Sequence, residues 1–356
     1  MADSILVNTL TSFANAIREK EGSTDLIPAV EMGDRIRALK SGFPNGTEWT
    51  KCSNTYHSCE ALYYTNGIWV AGDKSDTVLF YSTDGKTWTQ SNRIGGIVYS
   101  VYNANGIWAA GTGAGLYYST DGKTWTQSNI TSGPYAGLYH ANGIWVACGA
   151  NSTGAPGLYY STDGKTWTRS NITSGAFHSV YNANGIWVAG GINTGLYYST
   201  DGKTWTQSNM TYRTFYSVHN ANGIWVAGNW SDGTGLYYSV NGKTWTQSNI
   251  TSGEFYSIYN ANGVWVACGY SSNGLYYSTD GKTWTQSNIT SGQFLSVYNA
   301  NGVWIAGGKG LYYSTDGKTW TQSNMTSGFF YSIYNANGIW VSSSNGLHYS
   351  VTWEPS

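Results

Sequence analysis

Charge is what this chain has least of. Only 10% of its 356 residues are Asp, Glu, Lys or Arg, and from residue 43 onward 13 basic residues balance 13 acidic ones. Such a balance leaves no electrostatic footprint for nucleic acid or for an anionic membrane. No apolar run reaches 18 residues, so no bilayer-spanning helix is expected. The start, Met1-Ala2-Asp3-Ser4, has no basic segment followed by an apolar core, so no secretory signal is expected either. Histidine is scarce: His57, His140, His178, His219 and His348 fall in different registers of the repeat that fills the chain, and they share no ligand geometry. Neither a metal nor a cofactor is expected. Cysteine is scarce too. Cys148 and Cys268 occupy one register three repeats apart and cannot reach one another, whereas Cys52 and Cys59 bracket a single loop and are either bridged or free. Free packing thiols are the default in a chain with no export signal.

Tryptophan, by contrast, is abundant and ordered. Sixteen of the 18 form eight pairs, always 20 positions apart: Trp49/Trp69, Trp88/Trp108, Trp125/Trp145, Trp167/Trp187, Trp205/Trp225, Trp245/Trp265, Trp284/Trp304 and Trp320/Trp340. From the second member of one pair to the first of the next the gap varies: 19, 17, 22, 18, 20, 19 and 16. One half of the repeat is rigid, and the other absorbs every insertion. A unit of 36 to 42 residues with four short apolar runs has the size of a four-stranded propeller blade. In the sixth unit Phe255-Tyr256-Ser257-Ile258-Tyr259 reads as strand A, Asn262-Gly263 as a turn and Val264-Trp265-Val266-Ala267 as strand B. Leu275-Tyr276-Tyr277-Ser278 follows as strand C, Asp280-Gly281 as a second turn, and Thr283-Trp284-Thr285-Gln286 as strand D. Asn-Gly and Asp-Gly between apolar runs predict type I′ hairpins, with φ > 0 at both central residues. Strands that are apolar on both faces, as in Ile224-Trp225-Val226, fit a blade sandwiched between neighbours.

The ends of the repeat are complementary. The last unit stops at Leu347-His348-Tyr349-Ser350-Val351 without its fourth strand, and the first begins with Asn45-Gly46-Thr47-Glu48-Trp49-Thr50 and no third strand before it. The expected fold is therefore all-β: an eight-bladed β-propeller of four-stranded antiparallel blades over residues 42–356, closed by the strand at Trp49. Closure through Thr352-Trp353 is the alternative.

The turn between strands C and D reads Ser-Thr-Asp-Gly-Lys-Thr-Trp at 82–88, 119–125, 161–167, 199–205, 278–284 and 314–320. It resembles the Asp-box, or BNR repeat, of sialidase-like and sortilin-like propellers, over residues 43–353. Its acids, Asp84, Asp121, Asp163, Asp201, Asp280 and Asp316, are read as structural acceptors for turn amides. Asn241 in the remaining copy keeps the acceptor and drops the charge, which fits that role. The Asn-Ile-Thr and Asn-Met-Thr sequons, such as Asn129-Ile130-Thr131, are read as by-products of repetition.

Residues 1–41 are a different material, with 11 charged residues against 26 in the remaining 315. Leu6, Leu10, Phe13 and Ile17 form one helical stripe, and Pro28 followed by Met32, Ile36 and Leu39 predicts a second helix. A helical hairpin this small cannot bury a core alone, so it should associate with copies of itself or a partner. Leu10-Thr11-Ser12-Phe13-Ala14-Asn15-Ala16-Ile17-Arg18 and Ile27-Pro28-Ala29-Val30-Glu31-Met32 resemble the N-terminal attachment segments of tail receptor-binding proteins of phages and prophages of Gram-positive bacteria. That resemblance implies an anchor to a virion tail or baseplate protein, a possible homotrimer, and production in the bacterial cytoplasm. An oligomerisation hairpin of an unrelated protein is the alternative.

In a blade the A-to-B and C-to-D turns lie on one face of the disc and the B-to-C and D-to-A loops on the other. The first face is uniform in sequence, and the second is diversified, as recognition by loops on a rigid frame would have it. Unconstrained drift is the alternative. Trp230 is the only tryptophan outside the repeated registers apart from Trp353. With Tyr270, Tyr212 and Tyr56 it offers flat surface for sugar rings, and Asp232, Asn273, Arg213 and Asp76 offer hydrogen bonds to hydroxyls. The expected function is non-enzymatic recognition of a cell-surface glycan or protein, with a structural scaffold as the alternative. Sialidase-like hydrolysis, which the Asp-box resemblance raises, needs three convergent arginines. The repeat offers only Arg93, Arg169 and Arg213, and Arg169 sits on an outer strand.

Overall fold

The computed structural model describes residues 46–53, 58–75, 77–149, 156–230, 234–270 and 273–351. The expected helical hairpin, Tyr56, Asp76, Asp232 and Thr352-Trp353 lie outside the described residues. Construction starts at the Asn-Gly turns. Asn66 and Gly67 have φ of 48° and 80°, and the same pair of positive angles recurs in all eight blades, to Asn337 and Gly338 at 50° and 74°. These are the mirror-image turns whose twist matches that of paired strands. The Asp-Gly turns are built differently from the expectation: Gly85 is left-handed (φ 68°), but Asp84 is not. The aspartate does serve as the acceptor read from the sequence. Asp84 Oδ1 takes the backbone N–H groups of Lys86 (2.8 Å) and Thr87 (2.7 Å) and the Ser82 hydroxyl (2.8 Å). Asn241 does the same for Lys243, Thr244 and Ser239 at 2.9–3.0 Å. Partial burial alone would raise the Asp84 carboxyl, but those amides and the hydroxyl outweigh it and hold it below the usual carboxylate value.

Among the described residues the strands form eight four-stranded antiparallel sheets. The fifth blade is typical: Phe215–Ala221, Ile224–Asn229, Leu236–Ser239 and Thr246–Gln247 run outward from the axis. In the last blade Ile333–Ala336, Ile339–Ser344 and Gly346–Val351 take Thr50–Lys51 as their fourth strand, with Thr50 opposite Tyr349 and Lys51 opposite His348. The ring closes where the last blade meets the first: the Tyr334 and Tyr63 rings lie 5.5 Å apart, and the Ser343 hydroxyl donates to the Cys59 carbonyl. The four cysteines are free and buried, so Cys52 and Cys59 are not bridged.

Each core is shared by two neighbouring blades. Val188 and Leu196 of the fourth, for example, pack on Phe215, Val218, Trp225, Ala227, Tyr237 and Trp245 of the fifth. No blade can bury these side chains alone, which is the physical reason the repeat exists only as a ring. A polar clasp fixes each joint. Asn209 Oδ1 accepts the Trp245 N–H at 2.8 Å while Asn209 Nδ2 donates to the Trp245 carbonyl at 2.9 Å. Asn92, Asn129, Asn171, Asn249 and Asn288 grip Trp125, Trp167, Trp205, Trp284 and Trp320 in the same way. Asn324 grips Trp49 across the seam between the chain's beginning and end (2.9 and 3.2 Å). The joint from the last blade to the first has Ser53 in this position, held by a parallel bridge to Thr87. These asparagines, all but Asn92 in the sequons read as by-products, are therefore structural. Replacing Asn209 with Ala strands two part-buried main-chain groups and should lower unfolding free energy by about 1–3 kcal/mol. Asn209→Asp, which keeps the acceptor, should lose less. Denaturant titration checks this, and an unchanged midpoint for Asn209→Ala would contradict it.

Candidate functional site

Where strand A begins, on the face of the B-to-C and D-to-A loops, its pairing with strand B slips by one residue in seven blades. The slips fall between Cys59 and Ala61, Val98 and Ser100, Tyr135 and Gly137, Phe177 and Ser179, Phe215 and Ser217, Phe255 and Ser257, and Phe294 and Ser296. A β-bulge leaves its extra residue unpaired and re-aims that side chain. The residues so released are Glu60, Tyr99, Ala136, His178, Tyr216, Tyr256 and Leu295. Together with Tyr331 of the last blade they line a pocket of about 350 Å³ at the mouth of the axis. All eight stand nine positions before the second tryptophan of their blade. The register is fixed while its chemistry changes from blade to blade.

One side of this mouth is aromatic. Tyr216 lies 4.1 Å from His178, 4.9 Å from Tyr256 and 4.9 Å from Trp230, ring centre to ring centre. Trp230 meets Tyr256 edge-on at 6.0 Å, and Tyr270 extends the wall at 5.1 Å from Tyr256. Across the axis stands an ion pair. Lys74 Nζ is 2.6 Å from Glu60 Oε1 and 4.2 Å from the centre of the Tyr331 ring. Burial raises the Tyr216 phenol. Burial, then Tyr216, Tyr270, Glu254 and Glu60, raises Tyr256, and burial pushes His178 down to about 4. Burial alone would lower Lys74, but Glu60 outweighs it and raises the ammonium. At neutral pH the site is a wall of uncharged aromatic groups facing a compensated charge pair.

Deeper along the axis, six positions before each second tryptophan, Tyr63, Tyr102, Tyr139, Tyr181, His219, Tyr259, Tyr298 and Tyr334 close an octagon with sides of 4.8–5.5 Å. Each packs edge-on against the second tryptophan of the next blade, 5.8–6.2 Å away, as Tyr102 does on Trp145 and His219 on Trp265. Edge-to-face geometry is favoured by the aromatic quadrupole. The collar explains why the tryptophan register tolerates no insertion.

Of the site residues expected from the sequence, the structure brings Trp230 and Tyr270 to the mouth. Arg213 is used elsewhere: its Nη1 donates to Thr234 Oγ1 at 2.8 Å and its guanidinium lies 5.6 Å from the ring centre of Tyr237, on strand C. Tyr212 is 85% exposed with φ of 60°. The Asn273 carbonyl accepts from Gln286 Nε2 (3.2 Å), on the outer strand. Sequence reasoning missed the bulged register, the collar, Glu60 and Lys74. Alignment of the A strands on the second tryptophan holds the signal for the two rings. Arg93 follows the outer strand of the first blade, Arg169 is on that of the third and lies over Tyr159, and Arg213 precedes the fifth, so these three do not share a blade.

The sequence matches no family model and no curated protein. Solved structures match the fold. The computationally designed Ika8 protein superposes with a TM-score of 0.67 at 11% identity, covering 85% of this chain and 98% of its own. Sqt1 of Saccharomyces cerevisiae gives 0.64 at 11%, covering 85% and 96%. YCF48, solved bound to D1 peptide, gives 0.54 at 16%, covering 86% and 96%. At these identities the likeness is one of fold alone.

The collar makes a pH prediction. Burial pushes His219 down to about 4 from an ordinary 6.5. The unfolded chain binds the proton first, so the stability His219 contributes is complete above pH 6.5 and is lost as pH falls toward 4. His178 acts in the same window. His219→Tyr, the residue of the other seven blades, should remove on the order of 2 kcal/mol of the stability lost between pH 7 and pH 4.5. Denaturant midpoints at the two pH values check it, and an unaltered pH dependence would contradict it.

Proposed function

We propose that this protein is a non-enzymatic receptor-binding head of a phage or prophage tail, and that it recognises a cell-surface glycan through the loop face of an Asp-box propeller. The observation that carries the reading is the bulged register at the axial mouth. Eight equivalent positions on a repeated frame hold Glu, Tyr, Ala, His, Tyr, Tyr, Leu and Tyr, while the collar three residues deeper holds Tyr in seven blades. A frame that preserves its supports and varies the side chains it presents is arranged for recognition. Tyr216, Tyr256, Trp230 and Tyr270 supply the flat apolar area on which sugar rings stack, and phenol hydroxyls with the Glu60–Lys74 pair supply hydrogen-bonding groups. None of Arg93, Arg169 and Arg213 lines the axial pocket, Arg169 stands on an outer strand and Arg213 is held by Thr234, which argues against a sialidase-like carboxylate site.

The tail setting rests on the likeness of residues 10–18 and 27–32 to attachment segments, which would join the head to a tail or baseplate protein, as a homotrimer, in a virion assembled in the bacterial cytoplasm. Trimerisation would multiply a modest single-site affinity. The second reading is a scaffold that binds protein. It draws on YCF48, a similar fold solved with a peptide. Glycan arrays and whole bacterial cells probed with the full chain and with Trp230→Ala separate the two. Glycan binding that falls about tenfold or more in the variant supports the proposal. Binding to no glycan and no cell, with tight binding to a virion protein, would replace it with the scaffold.

A further inference from the structure

Within the glycan reading, on which this inference rests, the geometry points to recognition of the end of a saccharide chain, one end per propeller, in the axial pocket. The pocket is encircled: its eight lining side chains come one from each blade. A groove that reads the interior of a polymer is open along its length, whereas this lining surrounds its ligand on every side and is approached along the axis. Below it the axis is ringed by the aromatic octagon of seven tyrosines and His219, whose sides of 4.8–5.5 Å are set by packing on eight tryptophans. A chain that enters past Trp230 along the axis meets that collar end first. At about 350 Å³ the pocket lies at the small end of ligand sites and has room for about two sugar rings at most.

The lining is also asymmetric, which fixes the stoichiometry. The aromatic wall belongs to the fourth, fifth and sixth blades, and the Glu60–Lys74 pair stands on the first, opposite the fifth. Glu60 is close enough to raise the Tyr256 phenol across the mouth. A single terminal sugar can lay its apolar face on Tyr216 and Tyr256 and turn its hydroxyls to Glu60 and Lys74. The eightfold repeat of the frame does not create eight sites, because the lining side chain differs from blade to blade and the Glu60–Lys74 pair occurs once among the described residues of the lining. Tyr212, exposed on the outer rim, takes no part.

The probe is the surface polysaccharide retained by the full-length protein, broken by partial acid hydrolysis into size-fractionated oligomers and titrated calorimetrically. We expect one site per chain and an affinity per oligomer that stops rising beyond about two sugars. Tyr256→Ala should weaken binding tenfold or more, Tyr256→Phe should keep most of it, and Tyr212→Ala should leave it unchanged. Ala136→Trp, which fills the pocket from the third blade and leaves Tyr216, Tyr256 and Trp230 in place, should abolish binding while thermal unfolding stays at the parent midpoint. An affinity that climbs in proportion to oligomer length, several sites per chain, or loss in Tyr212→Ala with none in Tyr256→Ala would overturn end recognition and leave the glycan reading standing. Should no polysaccharide be retained at all, the glycan reading falls and this inference falls with it.

Discussion

The structure depends on one constraint: a blade cannot bury its own apolar faces, so every blade is stable only when held in register against the next. Two contacts enforce that register at fixed positions. The asparagine clasp ties the main chain of a tryptophan to the preceding blade, and the edge-on aromatic pair ties the second tryptophan to the inner strand of that blade. The first acts at the periphery of seven joints, the Ser53–Thr87 bridge replaces it at the last-to-first joint, and the second acts at the axis of all eight. Asn324 extends the clasp across the chain's seam, which makes the closing strand a full member of the ring although it comes from the other end of the repeat.

A ring pinned in this way frees its loop face. The turn that joins strands C and D satisfies its own amides through a carboxylate or an amide, and the turn between strands A and B is satisfied by two residues in left-handed geometry. The C-to-D turns also reach the preceding blade, as Lys123 does over the Tyr81 ring, 5.6 Å from its centre. On the opposite face the bulge at the start of strand A is the device that converts repetition into diversity. In seven blades it lifts one residue out of the ladder, so its identity is released from pairing. Tyrosine, histidine, glutamate, leucine and alanine all stand there on one frame. The Glu60–Lys74 pair sits in this released layer, where exchange with a ligand's hydroxyls disturbs no core contact.

Blade number, strand order and closure were legible in the sequence because they are written in local chemistry. Asn-Gly marks a tight turn, and the unmatched halves at Trp49 and Val351 are complementary, which the pairing of Thr50–Lys51 with Gly346–Val351 bears out over the alternative closure. The Asp-Gly turn was legible as a turn and its aspartate as a side-chain acceptor, but its backbone was not, since Asp84 lacks the left-handed angle that a type I′ turn requires. Asn209 was invisible as a clasp because its partner lies 36 residues away, and a sequon pattern offered a nearer explanation. The candidate site was half legible. Trp230 and Tyr270 stood out as departures from the repeat, and they do back the mouth. Tyr212, Arg213 and Asn273 share their face but not their distance from the axis, and strand pairing, which sets that distance, leaves no mark in composition. Glu60, Tyr216 and Tyr256 looked like ordinary strand residues for the same reason.

The central claim is that support and recognition occupy separate registers of one repeat. A scan that scores every single substitution in residues 46–351 for folded abundance and, in parallel, for retention of the bound surface polysaccharide tests it directly. The account predicts that substitutions of the clasp asparagines, the turn acids and the collar lower abundance, and lower binding only in proportion. Those at Glu60, Tyr99, Tyr216, Tyr256 and Trp230 should lower binding at unchanged abundance. Binding losses at constant abundance that cluster instead among the turn acids or the Asn-Gly turns of the opposite face would contradict it.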